Sequence, residues 1–146
     1  MKVIIDTNCL FSSIIKPDGK IAEIILNPKF DLTIIGCYFS YIELFKYKEK
    51  MIKASKLEEV EFLEVLYQVI KRVSFINEGT IPSKIFEKAY NLTRDIDEKD
   101  TVFVAMSDFL NCKIWTGDII LIEGLKEKGF KNFIRTSELL QILLNK

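Results

Sequence analysis

The chain has 146 residues, of which 49% are hydrophobic, and this length and composition predict a single domain spanning residues 1–146 with a buried core. Its 21 acidic and 21 basic residues cancel, which argues against strong non-specific binding to nucleic acid. Histidine is absent, and this excludes every catalytic or metal site that depends on an imidazole.

Short apolar runs and helical patterns alternate along the chain. A continuous apolar run bounded by polar residues predicts a parallel strand buried on both faces, and apolar residues spaced three or four apart predict an amphipathic helix. The predicted strands are 2–5, 31–35, 72–76, 113–115 and 132–134. The predicted helices are two short ones before residue 31, followed by 40–52, 57–70, 83–92, 97–110, 119–128 and 137–144.

This alternation, without hairpin dipeptides, predicts an α/β fold whose parallel sheet is covered by helices on both faces. Apolar spacing also predicts which side chains face inward in two helices, and Ser83 is expected to cap another. The predicted inward residues are Ile42, Phe45 and Met51 in the first of these helices, and Leu57, Val60, Leu63, Leu66 and Ile70 in the second.

The three cysteines are far apart and form no CxxC pair, which argues against both a disulfide framework and a zinc site. Cys9, Cys37 and Cys112 are therefore expected to be small buried hydrophobes. No apolar stretch reaches the roughly 18 residues that a membrane span needs, and the N-terminus lacks a signal-peptide pattern. We expect a cytoplasmic protein with no membrane partner.

Four acidic residues stand where apolar runs end or begin. They are Asp6, Glu43, Asp100 and Asp118. In an open α/β sheet, ligands bind beyond the carboxyl ends of the strands, so acids placed there from distant parts of the chain converge. Several carboxylates at one spot cannot all stay ionised unless a cation joins them. The pattern therefore predicts a site for a divalent metal ion.

Each acid also has a purely structural interpretation. Asp6 and Asp118 could be helix N-caps, and Asp97 and Asp100, three residues apart, could share a helical face near an N-terminus where the helix dipole favours negative charge. Glu43 is harder to explain in this way, because it lies in an otherwise apolar helix and an unpaired buried Glu costs several kcal/mol. Four such acids are more than capping requires.

The segments that carry these acids resemble the PIN-domain family of metal-dependent nucleases, and the resemblance spans nearly the whole chain. They are 3–8, the helix of Glu43, 97–105 and 115–118. The resemblance implies a three-layer α/β/α sandwich with a central parallel sheet. It also implies hydrolysis of RNA phosphodiester bonds with Mg²⁺ or Mn²⁺ held by the four acids, with Asp97 as an auxiliary ligand and Thr7, Asn8 and Thr116 in support.

Hydrolysis of a phosphodiester builds negative charge on the attacking and leaving oxygens, and a metal ion stabilises that charge and activates water without a histidine. Mg²⁺ prefers oxygen ligands, which carboxylates supply. One position departs from the family pattern, because Ile120 stands where many relatives have a further acid. We expect a second metal to bind weakly or only with substrate.

The resemblance extends to the toxins of toxin–antitoxin pairs, which implies a homodimer and a small antitoxin partner. Lys46, Lys48 and Lys50, interleaved with Phe45 and Tyr47, could contact the phosphates and bases of an RNA substrate or could form a solvated helix face.

Two other classes of function stay open. A catalytically inert PIN-like module for protein or RNA binding is favoured by Ile120. A phosphotransfer protein is disfavoured by Asn8, because aspartyl phosphatases need an Asp two residues after the first.

Overall fold

The computed structural model covers residues 1–146. Its apolar runs form five strands, which pair in one fully parallel sheet of order β3-β2-β1-β4-β5. The strands are β1 (Lys2–Ile5), β2 (Thr33–Cys37), β3 (Val73–Ile76), β4 (Lys113–Trp115) and β5 (Phe133–Ile134). The helices are α1 (Thr7–Ile15), α2 (Lys20–Leu26), α3 (Tyr38–Lys46), α4 (Lys48–Ser55), α5 (Glu59–Ile70), α6 (Ser83–Thr93), α7 (Thr101–Leu110), α8 (Ile119–Glu127) and α9 (Thr136–Leu144). Short 3-10 turns occupy Glu78–Thr80 and Glu98–Asp100.

Helices cover both faces of the sheet because side chains alternate in direction along each strand. Val3 and Ile5 pack with buried residues of α1 to α5 and α9, whereas Ile4 packs with those of α6, α7 and α8. The sheet is therefore the middle layer of an α/β/α sandwich, which confirms the predicted fold class. The predicted burial of all three cysteines, none in a disulfide, is also confirmed.

The strand order reverses at β1, which lies between β2 and β4. The chain builds the sheet outward from β1 through β2 to β3, then returns to the other side of β1 for β4 and β5. Ligand sites in open α/β sheets lie beyond the carboxyl ends of the strands at such a reversal. Here that place is next to Asp6, whose backbone N–H donates to the carbonyl of Trp115 at 3.2 Å.

The prediction of one helix over 40–52 was wrong, because α3 and α4 are separate and meet at Tyr47. The predicted inward face was also partly wrong: Ile42 is 61% exposed and Phe45 is 50% exposed, while Leu44 and Met51 are buried. The strand β2 ends two residues later than predicted, so α3 begins directly at Tyr38. Leu44 lies in the core together with buried residues of α1, α4 and α5.

The stripe predicted for α5 was likewise wrong at Val60 and Leu63, which are exposed, and correct at Leu66. The buried residues are Phe62, Leu66 and Val69, which also follow helical spacing. Because this helix has apolar residues on more than one side, periodicity alone could not choose between two stripes.

Two predicted helix starts differ from those in the structure. The helix over 97–110 begins only at Thr101, after the 3-10 turn, so Asp97 and Asp100 do not share a face of one helix. Ser83 is the first residue of α6 and does not cap it; Pro82 occupies the cap position without a side-chain hydrogen bond. None of the helices combines the length and apolarity that a membrane crossing requires.

The N-terminus of α3 is held by a residue from another part of the chain. The helix has no capping hydrogen bond from its own cap residue, Cys37. Instead the backbone N–H of Phe39 donates to Oε2 of Glu78 at 3.1 Å. A carboxylate at this end of a helix satisfies an unpaired donor and complements the helix dipole. Glu78 thereby fixes the start of the helix that carries Glu43.

We expect Glu78→Ala to lower the free energy of unfolding by about 0.5–2 kcal/mol, the usual cost of losing a helix cap. Glu64→Ala is a suitable control, because Glu64 is exposed on α5 and surface changes of this kind stay within about 0.5 kcal/mol. Urea denaturation measures both. Equal midpoints for the two variants would show that the Glu78 contact contributes nothing.

Candidate functional site

Two strand ends place two of the predicted acids side by side. Asp6 directly follows β1 and caps α1, accepting a hydrogen bond from the Cys9 N–H at 2.7 Å. Asp118 follows β4 and caps α8, accepting one from the Leu121 N–H at 3.1 Å. Because β1 and β4 are paired neighbours, both acids lie at the same edge of the sheet. The capping interpretation is therefore correct for both, and it does not conflict with their convergence.

Thr116 connects these two acids. Its hydroxyl donates to Oδ2 of Asp6 and accepts from the backbone N–H of Asp118 at 3.1 Å. Thr116 is fully buried and Asp6 almost so. Each oxygen of the Asp6 carboxylate thus accepts one hydrogen bond, which fixes the orientation of that carboxylate.

A second pair of acids comes from the 3-10 turn that precedes α7. Oδ1 of Asp97 accepts a hydrogen bond from the Lys99 N–H at 3.0 Å, which stabilises the turn. Asp100 is the residue before α7, yet its side chain makes no capping hydrogen bond. The carboxylate of Asp100 is therefore available to a ligand, while that of Asp97 already has a structural partner.

Glu43 reaches the site from α3, where it is half-buried. The start of α3 is tied to that of α1 by a 2.7 Å hydrogen bond between the hydroxyls of Thr7 and Ser40. Ser40 also lies 3.3 Å from Sγ of Cys37. Sequence analysis missed Ser40 and Glu78 as supports of this helix. Only the spacing of Ser40 from Glu43, three residues on one helical face, could have suggested that Ser40 matters.

All five predicted acids line one cavity of about 250 Å³. Thr7 and Asn8 line it as well, whereas Thr116 lies behind it. Its lining acids are Asp6, Glu43, Asp97, Asp100 and Asp118, and its other lining residues include Phe11, Phe39, Tyr47, Lys99 and Phe103. The carboxylates share a cavity without forming a ready-made coordination shell, because no three of them are close enough to hold an ion together.

Burial raises the pKa of the Asp100 carboxyl from 3.8 to about 7. Repulsion from Asp97, Asp118 and Asp6 adds to this effect. Burial also raises the pKa of Asp6, although the hydrogen bond from Thr116 opposes the increase. The three salt bridges of the protein lie elsewhere, and Lys99, which also lines the cavity, forms no salt bridge with these acids.

The donor set of this cavity fits Mg²⁺ or Mn²⁺. Both ions favour carboxylate oxygen, and the lining side chains that can act as ligands carry only carboxylate, amide and hydroxyl groups. Cys9 contributes no competing thiolate, since burial beside Asp6 raises the pKa of its thiol. Ile120, two residues beyond Asp118, is 78% exposed and lies outside the cavity.

The three lysines predicted to contact RNA do not line the acidic cavity. Lys48 forms a 3.7 Å salt bridge with Glu59, and Nζ of Lys46 lies 5.2 Å from the centre of the Tyr47 ring. Lys50 is exposed. Among these residues and their aromatic neighbours, only Tyr47 reaches the cavity wall.

Comparison with known proteins gives both a family and a fold. The PIN domain family profile matches residues 4–141. A chain of VapBC2 from Rickettsia felis, solved bound to a DNA fragment from their promoter, is similar with a TM-score of 0.64 and 17% identity, over 92% of this chain and 97% of that one. PAE2754 from Pyrobaculum aerophilum is similar with a TM-score of 0.63 and 14% identity, over 100% of this chain and 97% of that one. Comparison with curated proteins gives no match.

The raised pKa of Asp100 predicts a pH-dependent stability in EDTA. The folded chain disfavours ionised Asp100, so stability is lost as pH rises from about 4 through about 7. Asp100→Asn removes the charge, and we expect its melting temperature to exceed that of the wild type by a margin that widens up to about pH 8.

Asp108→Asn provides the control, since Asp108 is an exposed aspartate on α7. We expect the melting temperature of this variant to change with pH in the same way as that of the wild type. A constant difference between Asp100→Asn and the wild type would contradict the raised pKa.

Proposed function

The chain belongs to the PIN-domain family, whose members are generally nucleases, and we propose that it is a Mg²⁺- or Mn²⁺-dependent endoribonuclease that hydrolyses RNA phosphodiester bonds. The observation that carries this proposal is the convergence of five carboxylates on one cavity without a lysine or arginine in a salt bridge to any of them. Repulsion from Asp97, Asp118 and Asp6 raises the free energy of ionised Asp100, and a divalent cation would lower it.

The residues divide into ligands and supports. Asp6, Glu43, Asp100 and Asp118 would hold the ion, with Asp97 as an auxiliary ligand. Thr116, Thr7 and Asn8 support them, and Thr116 does so by orienting Asp6 and the backbone at Asp118. A bound ion would supply the positive charge that activates water and stabilises the phosphate oxygens in the transition state. The chain lacks histidine, so no imidazole takes part in this chemistry.

We propose that the protein acts in the cytoplasm as the toxin of a toxin–antitoxin pair, as a homodimer controlled by a small antitoxin. The similarity of its fold to a chain of the VapBC2 complex supports this, and so does a set of apolar side chains exposed on α3. Exposed apolar patches of this kind mark surfaces that partners cover. The exposed residues are Tyr38, Phe39, Tyr41, Ile42 and Phe45.

Lys46 and Lys50 remain candidate contacts for RNA phosphates, because both are exposed near Tyr47 at the cavity wall. Lys48 is a weaker candidate, since Glu59 already pairs with it. Phosphate contacts would position the strand without selecting its sequence.

An inert PIN-like module for protein or RNA binding is the alternative. It is favoured by the arrangement of the carboxylates, no three of which form a group that could hold an ion without adjustment, and by Ile120 in place of a further acid. A nuclease and an inert module differ in one measurable respect. Only the nuclease cleaves RNA when metal is present, and that cleavage should require Asp100.

We expect labelled single-stranded or structured RNA to be cleaved in Mn²⁺ or Mg²⁺ and left intact in EDTA. Asp100→Asn should reduce the cleavage rate at least about a hundredfold, since even indirect supports of a metal ligand contribute about 10–100-fold. Asp108→Asn is the matched control and should cleave at the wild-type rate. Cleavage in EDTA would overturn the metal dependence, while neither cleavage nor metal binding by calorimetry would favour the inert module.

We expect Thr116→Val to weaken Mn²⁺ binding about 10–100-fold, because valine keeps the shape of threonine but cannot orient Asp6. Ser107→Ala controls for the loss of a buried hydroxyl, since the Ser107 hydroxyl donates to the carbonyl of Cys112. Isothermal titration calorimetry measures both variants. Wild-type affinity in Thr116→Val would show that this hydroxyl has a structural role only.

A further inference from the structure

A second and larger cavity, of about 570 Å³, lies beside the acidic one. It is formed where α1 ends, α2 begins and β5 passes into α9. No acidic residue lines it, although the chain has as many acidic as basic residues. Its charged and hydroxyl-bearing lining residues are Lys16, Lys20, Arg135, Ser12, Thr136 and Ser137.

The cations of this cavity are largely free to bind a ligand. Lys16 and Arg135 form no salt bridge, and all three cationic residues are exposed. Lys20 has only a solvent-exposed contact of 3.6 Å with Glu23, and such pairs contribute little. Glu138 lies near Arg135, but its carboxylate accepts a hydrogen bond from the Arg135 backbone N–H and none from the guanidinium. Two unpaired cations and one weakly paired cation around one cavity favour an anionic ligand.

A third cavity, of about 320 Å³, lies between these two and shares lining residues with both. It shares Asp6, Asn8 and Asp118 with the acidic cavity. It shares Ser12, Ile21, Gly117 and Thr136 with the basic one. A Cβ atom at Gly117 would meet no other atom within 4 Å, so the space beside this residue is open. The three cavities thus lie side by side, and one extended ligand could contact all of them.

The topology explains why the basic cavity adjoins the acids. Trp115 is paired with Ile134, and the Thr116 N–H donates to the Ile134 carbonyl at 3.2 Å. Arg135, the next residue, therefore emerges beside Thr116 at the edge of the sheet where Asp6 and Asp118 lie. Lys16 lies at the opposite end of α1 from Asp6, about 15 Å along the helix axis, and lines the same cavity as Arg135.

We propose that the basic cavity binds phosphate groups of the RNA strand next to the bond that is cut. This inference rests on the proposed ribonuclease activity. A phosphate at the acidic cavity would be neutralised by metal, but its neighbours along the strand need other cations. Lys16, Lys20 and Arg135 supply them, and the hydroxyls of Thr136 and Ser137 can donate to phosphate oxygens.

The test is the binding of a fluorescein-labelled single-stranded RNA of mixed sequence to Asp100→Asn protein, in which cleavage is blocked. Adding Lys16→Gln and Arg135→Gln should weaken binding about tenfold at about 0.15 M salt and reduce the slope of log affinity against log salt by about 1.4, since each single-strand phosphate contact contributes about 0.7. The loss should be the same for RNAs of different sequence, because phosphate contacts do not read bases.

Lys84→Gln with Lys88→Gln is the charge-matched control. Both lysines are exposed on α6, across the sheet from the basic cavity, so this pair removes the same charge without touching the proposed site. If the two double variants lose affinity equally, or if neither changes the salt slope, the basic cavity is not a phosphate site.

This design separates the inference from the function on which it rests. Wild-type protein that cleaves RNA, together with an unchanged salt slope for the Lys16 and Arg135 variant, would overturn the inference alone. In the cleaving protein, loss of the subsite should raise KM and leave kcat unchanged. RNA binding that depends on Lys16 and Arg135 in a protein without nuclease activity would support the subsite and refute the proposed reaction.

Discussion

The hydrogen bonds of Thr116 join the ends of β1 and β4, and the arrangement of the acidic cavity depends on them. They lie where the strand order reverses, so the crevice beyond the sheet opens between Asp6 and Asp118. Because Asp6 accepts a hydrogen bond on each oxygen, its carboxylate is held in place without a ligand. The acids carried by α3 and by the 3-10 turn line the same cavity as this fixed carboxylate.

This arrangement has an electrostatic cost. Burial raises the pKa of both Asp6 and Asp100, and for Asp100 repulsion among the carboxylates adds to it. A folded domain gains nothing in stability from such a cluster, and replacing one of the acids by a neutral residue would relieve it. Buried carboxylates that repel one another at strand ends, without a salt bridge, are typical of a binding site. Binding of the proposed divalent ion would relieve this repulsion, and that relief would add to the affinity for the ion.

Capping and binding are not competing roles in this protein. Asp6 and Asp118 each use one carboxylate oxygen to cap the helix that follows, and both also line the cavity. Asp100 makes no capping hydrogen bond, and burial raises the pKa of its carboxyl. The same strand-to-helix junctions thus build the fold and display the acids.

The sequence by itself determined the strands, the family and the set of acids, because each of these depends on local patterns. An apolar run marks a buried strand wherever it pairs, so Asp6 and Asp118, which follow such runs, must lie at strand ends. Only the tertiary structure decided which stripe of α3 and α5 is buried, since both helices carry apolar residues on several sides. It also decided that Glu78 caps α3 and that Lys16 and Arg135 share a cavity. Such contacts join residues far apart in the chain, and periodicity, which is a local property, carries no information about which distant segments become neighbours.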